Sequence, residues 1–214
     1  MFAQPAFARE PEDDDALPDE VDPVVLHFAP ILSRLRGDDF FRFCQTNERW
    51  VLELTKEGDL MIMMPVGSES SQRNAELLVL FGIWARENGA GVLFESSAGF
   101  ILPNGAERSP DLSWVKRERW EALSKKQREK FAPLCPDFVV ELRSRTDRLK
   151  PLQAKMEEYL ENGAQLGWLI DPYKRKVYVY RPDAPMQRLD EPESVSGEPV
   201  LPGFVLPVAR LWQE

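Results

Sequence analysis

The run Phe138-Val139-Val140-Glu141-Leu142-Arg143 constrains the fold of this 214-residue chain more than any other segment. Successive side chains of a strand point to opposite faces, so Val139, Glu141 and Arg143 share one face and Phe138, Val140 and Leu142 the other. A carboxylate inside an apolar strand costs free energy unless it finds a partner. The next segment, LKPLQAKMEEYLENG, carries Leu149, Leu152, Met156, Tyr159 and Leu160 at helical spacing and stops at Gly163. Two further strands follow, LGWLIDP and KVYVYRP, joined by a turn through Pro172 and Lys174.

The segments upstream extend the same pattern. Residues from about Pro23 to Asn47 read as helix, with Phe40, Phe41 and Phe43 on an amphipathic piece. WVLELTKEGDLMIMMP reads as a β-hairpin turning at Lys56-Glu57-Gly58-Asp59. GSESSQRNAELLVLFGIWARENGAG reads as a helix with serines available to cap its start and Gly89 and Gly91 to end it. Its apolar residues Leu77, Leu78, Leu80, Phe81, Ile83 and Trp84 cover most of the circumference, which predicts a largely buried helix. VLFESS, GFILP and ERSPDLSWV read as three strands with an Asn104-Gly105 turn, and the charged residues 117–131 as helix. The end, EPVLPGFVLPVARLW, reads as a proline-punctuated edge strand or loop with a final short turn. This order predicts an α/β protein: a central mixed β-sheet flanked by helices with an added N-terminal β-hairpin, rather than a doubly wound sheet.

Charge divides the chain unevenly. The formal net charge is -9, but residues 1–22 hold eight acids and one base and leave only -2 on the rest. Residues 1–22 therefore read as a disordered acidic arm, and residues 23–214 as a single domain. The run KRERWEALSKKQREK reads as a solvated helix face, or as a basic surface. Cys44 and Cys135 stand far apart and read as free thiols of a reducing cytoplasm, and with one histidine, His27, they do not make a structural zinc set. No apolar run reaches the roughly 18 residues of a membrane span, and the N-terminus lacks the pattern of a signal peptide.

Three acids and bases stand out. Pro110-Asp111 opens the strand DLSWV and sets Asp111 beside a buried run. Glu141 stands on its apolar strand. Lys155 flanks the buried stripe of the following helix, with an ammonium able to reach over the sheet edge. A hard cation such as Mg²⁺ takes one or two carboxylates and completes its shell with water and phosphate. Asp111 and Glu141 match that demand, with the Leu142 carbonyl as a further oxygen. On chemistry alone the same residues read equally well as a structural salt bridge between Glu141 and Arg143. Glu53, in VLELT, reads as a solvated hairpin position, with the same cleft as the alternative.

SPDLSWV, PDFVVELRS and LQAKMEEYLENGAQLGWLIDP, in this order, resemble the putative restriction endonuclease family of the PD-(D/E)XK nuclease superfamily. The likeness extends back to GDLMIMMPVGSESSQRNAELL and forward to KVYVYRP, covering roughly residues 40–210. The resemblance implies a restriction endonuclease-like fold, a divalent metal (Mg²⁺, with Mn²⁺ as substitute), no organic cofactor, and hydrolysis of DNA phosphodiester bonds. It implies that Asp111 is the PD aspartate and Glu141 the acidic member of (D/E)XK, both catalytic and metal-binding. Arg143 occupies the place of the motif lysine, and the lysine is relocated to Lys155. Arginine stays protonated and cannot exchange a proton with water, which leaves Arg143 to clamp phosphate or hold Glu141. Glu76 matches an acid of the family's first core helix that approaches the metal, and Asn74 stands in the same segment as a substrate-binding candidate. A homodimer would suit cleavage of two strands. The alternative is a nuclease fold without cutting activity that binds DNA or protein.

Overall fold

The computed structural model describes Leu17, Glu20 and residues 24–27, 35–63 and 65–212. The expected acidic arm, residues 1–22, lies outside these apart from Leu17 and Glu20. The chain runs through β1 (Val24–Leu26), α1 (Asp38–Thr46), β2 (Val51–Leu54), β3 (Leu60–Met63), α2 (Ser68–Asn88), β4 (Gly91–Glu95), β5 (Phe100–Ile101), β6 (Glu107–Arg108) and β7 (Leu112–Lys116). It continues through α3 (Arg117–Glu121), α4 (Lys125–Arg128), β8 (Phe138–Leu142), α5 (Leu149–Glu161), β9 (Leu166–Asp171), β10 (Lys176–Tyr180), β11 (Gln187–Asp190), β12 (Val195–Ser196), β13 (Val205–Leu206) and a closing 3-10 turn at Val208–Trp212.

Two large sheets organise these elements, and β12 and β13 pair as a separate two-stranded ribbon. The larger has the order β11-β10-β9-β8-β7-β4, and the smaller β1-β3-β2-β6-β5. In the larger sheet β8 and β9 are parallel, bridged by α5, while the other neighbours are antiparallel. This is the expected mixed sheet with flanking helices. The hairpin through Lys56-Glu57-Gly58-Asp59 forms as expected from β2 and β3. It belongs to the smaller sheet rather than standing as an appendage.

Three local expectations are corrected. The stretch Pro23–Asn47 is not one helix: Val24–Leu26 pairs with β3 as an edge strand, and the helix among its described residues is Asp38–Thr46. ERSPDLSWV is not one strand. Proline has no N–H to give a ladder, and Ser109-Pro110-Asp111 becomes the step by which the chain leaves β6 in one sheet and enters β7 in the other. Residues 117–131 form two short helices, α3 and α4, not one. On α2, Gly67 rather than a serine stands at the N-cap, and Gly89 ends the helix in the left-handed conformation as read from sequence.

Both faces of the larger sheet are covered. On one, Leu77 and Phe81 of α2 pack on Phe138, Val140 and Trp168. Full burial of each such side chain contributes about 1.5–3 kcal/mol. Only this arc of α2 is buried: Val79 and Ile83 are each 55% exposed, because no element of the described chain covers the opposite side. On the other face, Leu149, Met156 and Tyr159 of α5 pack on Val139 and Leu169. Helix α5 approaches the sheet closely at Gly167, where an added Cβ would stand 2.5 Å from Met156 Cε. The smaller sheet packs Leu52, Leu54 and Leu60 against Phe40 of α1. Among the described residues no helix is long and apolar enough to cross a membrane.

Glu107 ties the smaller sheet to α1. It is buried, its Oε1 accepts the N–H of Gly37 at the helix start (2.6 Å), and its Oε2 has no partner. Burial pushes its carboxyl up from 4.5 to about 7, with the Gly37 N–H and the Arg36 charge restraining it. The folded state therefore binds this proton more tightly than the unfolded chain. The associated stability is fully present below pH 4.5 and is lost as pH rises through about 7. Relative to wild type, Glu107→Gln is expected to gain roughly 3 kcal/mol between pH 4.5 and pH 8. Urea unfolding at the two pH values measures this, and a constant difference between the two proteins would count against a buried, proton-binding Glu107.

Candidate active site

The site is built where the two sheets and α5 meet. In β2, Leu52 and Leu54 face the α1 cluster, so the alternation of a strand turns Glu53 to the opposite side. In β6 the same alternation turns Arg108 away from Glu107. From the larger sheet, β8 contributes Glu141 on the face that α5 covers. Helix α5 contributes Lys155, Glu158 and Tyr159, which share a face at spacings of three and four.

These side chains interlock. The Lys155 ammonium lies 2.8 Å from Glu53 Oε1 and 2.9 Å from Glu141 Oε1. Tyr159 donates its hydroxyl to Glu141 Oε1 at 3.0 Å. Arg108 bridges Glu53 (3.1 Å) and Glu158 (2.6 Å), and the Ser109 N–H donates to Glu53 Oε1 at 2.9 Å. Glu53, Arg108, Glu141 and Lys155 are all buried. Asp111, half-buried on the step between the sheets, accepts the Leu142 N–H at 2.7 Å. Strands β7 and β8 pair Leu112 with Val140, and one further step of that register sets Asp111 beside Glu141.

The electrostatics follow from this packing. Four carboxylates (Glu53, Asp111, Glu141, Glu158) surround two cations (Lys155, Arg108), which leaves two formal negative charges without a partner. Burial raises the Asp111 carboxyl from 3.8 to about 6; the Leu142 N–H and Lys155 restrain it, while Asp147 and Glu53 add to the rise. Burial chiefly raises Glu141 as well; Lys155 pulls it down, and Asp111 and Glu53 add to the rise. Glu53 is the acid that keeps its charge. Burial opposes ionisation there too, but Lys155 and Arg108 together hold it below its ordinary range. Burial likewise works against the Lys155 charge, and Glu141 and Glu53 more than offset it.

Of the residues singled out in the sequence, Glu141 and Lys155 are in direct contact and Asp111 adjoins them. Glu76 and Asn74 are not brought to this cluster. Both lie on α2, which covers the opposite face of the sheet, and the Glu76 carboxylate pairs with Arg210 at 3.3 Å. Arg143 is also corrected. It is fully buried and does not hold Glu141, and its guanidinium is committed to Asp171, the Asp147 carbonyl and Glu20. The reason is register: β8 and β9 pair Leu142 with Ile170, so the next residues, Arg143 and Asp171, meet across the strands. Asp171 in turn accepts the N–H groups of Tyr173 and Lys174 at 3.0 Å, which fixes the β9–β10 turn. An arginine so enclosed has no access to phosphate. Glu53, read from sequence as a solvated position, is buried and central. The signal was there in Val51-Leu52-Glu53-Leu54, the same carboxylate-in-apolar-strand pattern that marks Glu141. Among the described residues no set of three or more His, Cys, Asp or Glu side chains stands ready to hold a metal ion.

Comparisons with known proteins agree with this architecture. The family model described as "Putative restriction endonuclease", Uma2, matches residues 38–209. A crystal structure described as a putative nuclease belonging to DUF820, from Anabaena variabilis ATCC 29413, superposes with a TM-score of 0.65 at 21% identity, covering 76% of this chain and 89% of that one. At that identity the likeness carries the fold. No curated protein matches the chain.

The Arg143–Asp171 pair has a testable energetic role. Removing one member of a fully buried ion pair strands the other charge and costs about 3–5 kcal/mol. Arg143→Met is expected to lower unfolding stability by that amount in urea titration. A loss under about 1 kcal/mol would show that Asp171 is not left uncompensated.

Proposed function

The chain belongs to the Uma2 family of putative restriction endonucleases, and from that premise we propose that it hydrolyses DNA phosphodiester bonds with a divalent metal at Asp111 and Glu141. The observation that carries this reading is the uncompensated charge of the buried cluster. Two adjoining carboxylates whose protons are held abnormally tightly, by burial first and by neighbouring acids second, form a donor set that a divalent cation relieves. The chemistry of the set also fits: hard oxygens and two carboxylates, of which Asp111 is the half-buried one, with water and phosphate left to complete the shell. Asp111 uses Oδ2 for the Leu142 N–H, and Glu141 uses Oε1 for Lys155 and Tyr159. Their second oxygens, Oδ1 and Oε2, are the donors we assign to Mg²⁺ or Mn²⁺. When bound, such an ion supplies Lewis-acid polarisation of the phosphoryl group and a water of lowered pKa.

The rest of the chemistry falls to this chain's own groups. Lys155 keeps a protonated ammonium beside Glu141 and stabilises negative charge developing on the phosphate. It does not serve as the base, because both acids around it favour its charged form. Tyr159 fixes one oxygen of Glu141 and so sets the direction of the other. Asp111 pins the Leu142 amide, which holds the end of β8 and the carboxylate next to it in register.

A second reading, a nuclease-fold module that does not cut, is favoured by the formal charge of -9, since phosphate contacts need Lys and Arg. One assay separates the two. Plasmid and single-stranded DNA are incubated with the protein and Mg²⁺ or Mn²⁺, with and without chelator. Cleavage is expected with metal only, and Asp111→Ala is expected to lower it by a factor on the order of 100 or more. Equal cleavage by Asp111→Ala would assign the activity to another site or a contaminant, and no cleavage by the wild type would favour the non-cutting module.

A further inference from the structure

Glu53 is the one acid of the cluster that comes from the smaller sheet. It is 1% exposed. Its Oε1 meets both the Lys155 ammonium (2.8 Å) and the Ser109 N–H (2.9 Å), and its Oε2 meets Arg108 (3.1 Å). Neither oxygen is free for substrate. Arg108 is held from behind by Glu158, itself on the helix that carries Lys155. The result is a closed loop of contacts, from Lys155 to Glu53 to Arg108 to Glu158 and back along one helical turn.

A lysine stem has four rotatable bonds, and one carboxylate partner leaves its ammonium free to swing about that partner. A second carboxylate, on the other side and on a separate sheet, fixes it. An ammonium has three N–H donors. Two are engaged by Glu53 and Glu141, which aims the third instead of leaving it to rotate.

We propose that Glu53 is a positioning residue for Lys155, holding its ammonium against Glu141 from the opposite sheet so that its remaining N–H faces the reacting phosphate. This rests on the nuclease reading above. Glu53 acts through Lys155 alone and touches neither metal nor substrate.

The test uses Glu53→Gln, which keeps one acceptor oxygen, for the Ser109 N–H or for Arg108 but not for both, and removes the charge that draws Lys155. With metal and DNA, kcat is expected to fall 10- to 100-fold with KM changed less than threefold. Glu53→Gln combined with Lys155→Met is expected to cleave no more slowly than Lys155→Met alone, because the lost function is the same one. Further slowing of the double variant would overturn the assignment, since Glu53 would then act by another route. A crystal structure of Glu53→Gln provides an arm that needs no activity: Lys155 Nζ is expected to leave its place 2.9 Å from Glu141 Oε1. An ammonium that stays in place overturns the proposal whether or not the wild type cuts DNA. Absence of cleavage by the wild type, by contrast, refutes the nuclease reading and leaves the positional result to stand on its own. Should Glu53→Gln not fold, Glu53→Asp shortens the reach by one methylene and is expected to give the same displacement.

Discussion

The Lys155 ammonium, caught between a carboxylate from each sheet, is the contact on which the rest of the arrangement depends. It is delivered by α5, and α5 must lie close to the larger sheet to deliver it. The absent side chain at Gly167 permits that approach, and Met156 fills the space beside it. Leu149, Met156 and Tyr159 fix the rotation of the helix by burying its apolar stripe. With the stripe buried, the neighbouring position, Lys155, points into the seam between the sheets. Glu53 and Glu141 receive it there only because β2 and β8 each place one acid on the face opposite their main apolar cluster.

Such a cluster is a poor choice for stability alone. Buried ion pairs recover little more than their desolvation cost, and replacement by well-packed apolar groups is often neutral or stabilising. Two carboxylates in excess of the cations make the balance worse. The rise in the Asp111 and Glu141 carboxyls expresses that strain. Perturbed acids gathered at a seam, with one half-open to solvent, are the pattern of a functional site. The Arg143–Asp171 pair is different in kind. It is closed and tied to a turn, and its role is to hold the ends of β8 and β9.

Much of this was legible in the sequence, and the illegible parts have physical causes. Strand β8 and helix α5 were readable because period-two and helical patterns lie side by side there, and the family resemblance rests on the same segments. Asp111, Glu141 and Lys155 stood out as polar groups within or beside apolar patterns. Glu53 shows the same pattern in a four-residue strand, but which face of a short hairpin is covered depends on α5, about a hundred residues away. Arg143 was misassigned because alternation gives its face and not its partner; the parallel register of β8 with β9 supplies Asp171. The extent of burial of α2 was over-read for a similar reason. An apolar circumference states what could be buried, and the elements packed around it decide which arc is.

The proposed Mg²⁺ or Mn²⁺ site between Asp111 and Glu141 is the claim on which the functional reading turns. Titration of the metal-free protein with Mn²⁺, followed by electron paramagnetic resonance, tests it without reference to any nucleic acid. One Mn²⁺ per chain is expected for the wild type, with affinity lowered at least tenfold in both Asp111→Asn and Glu141→Gln. Failure of the wild type to bind, or binding that is unchanged in both variants, would contradict it.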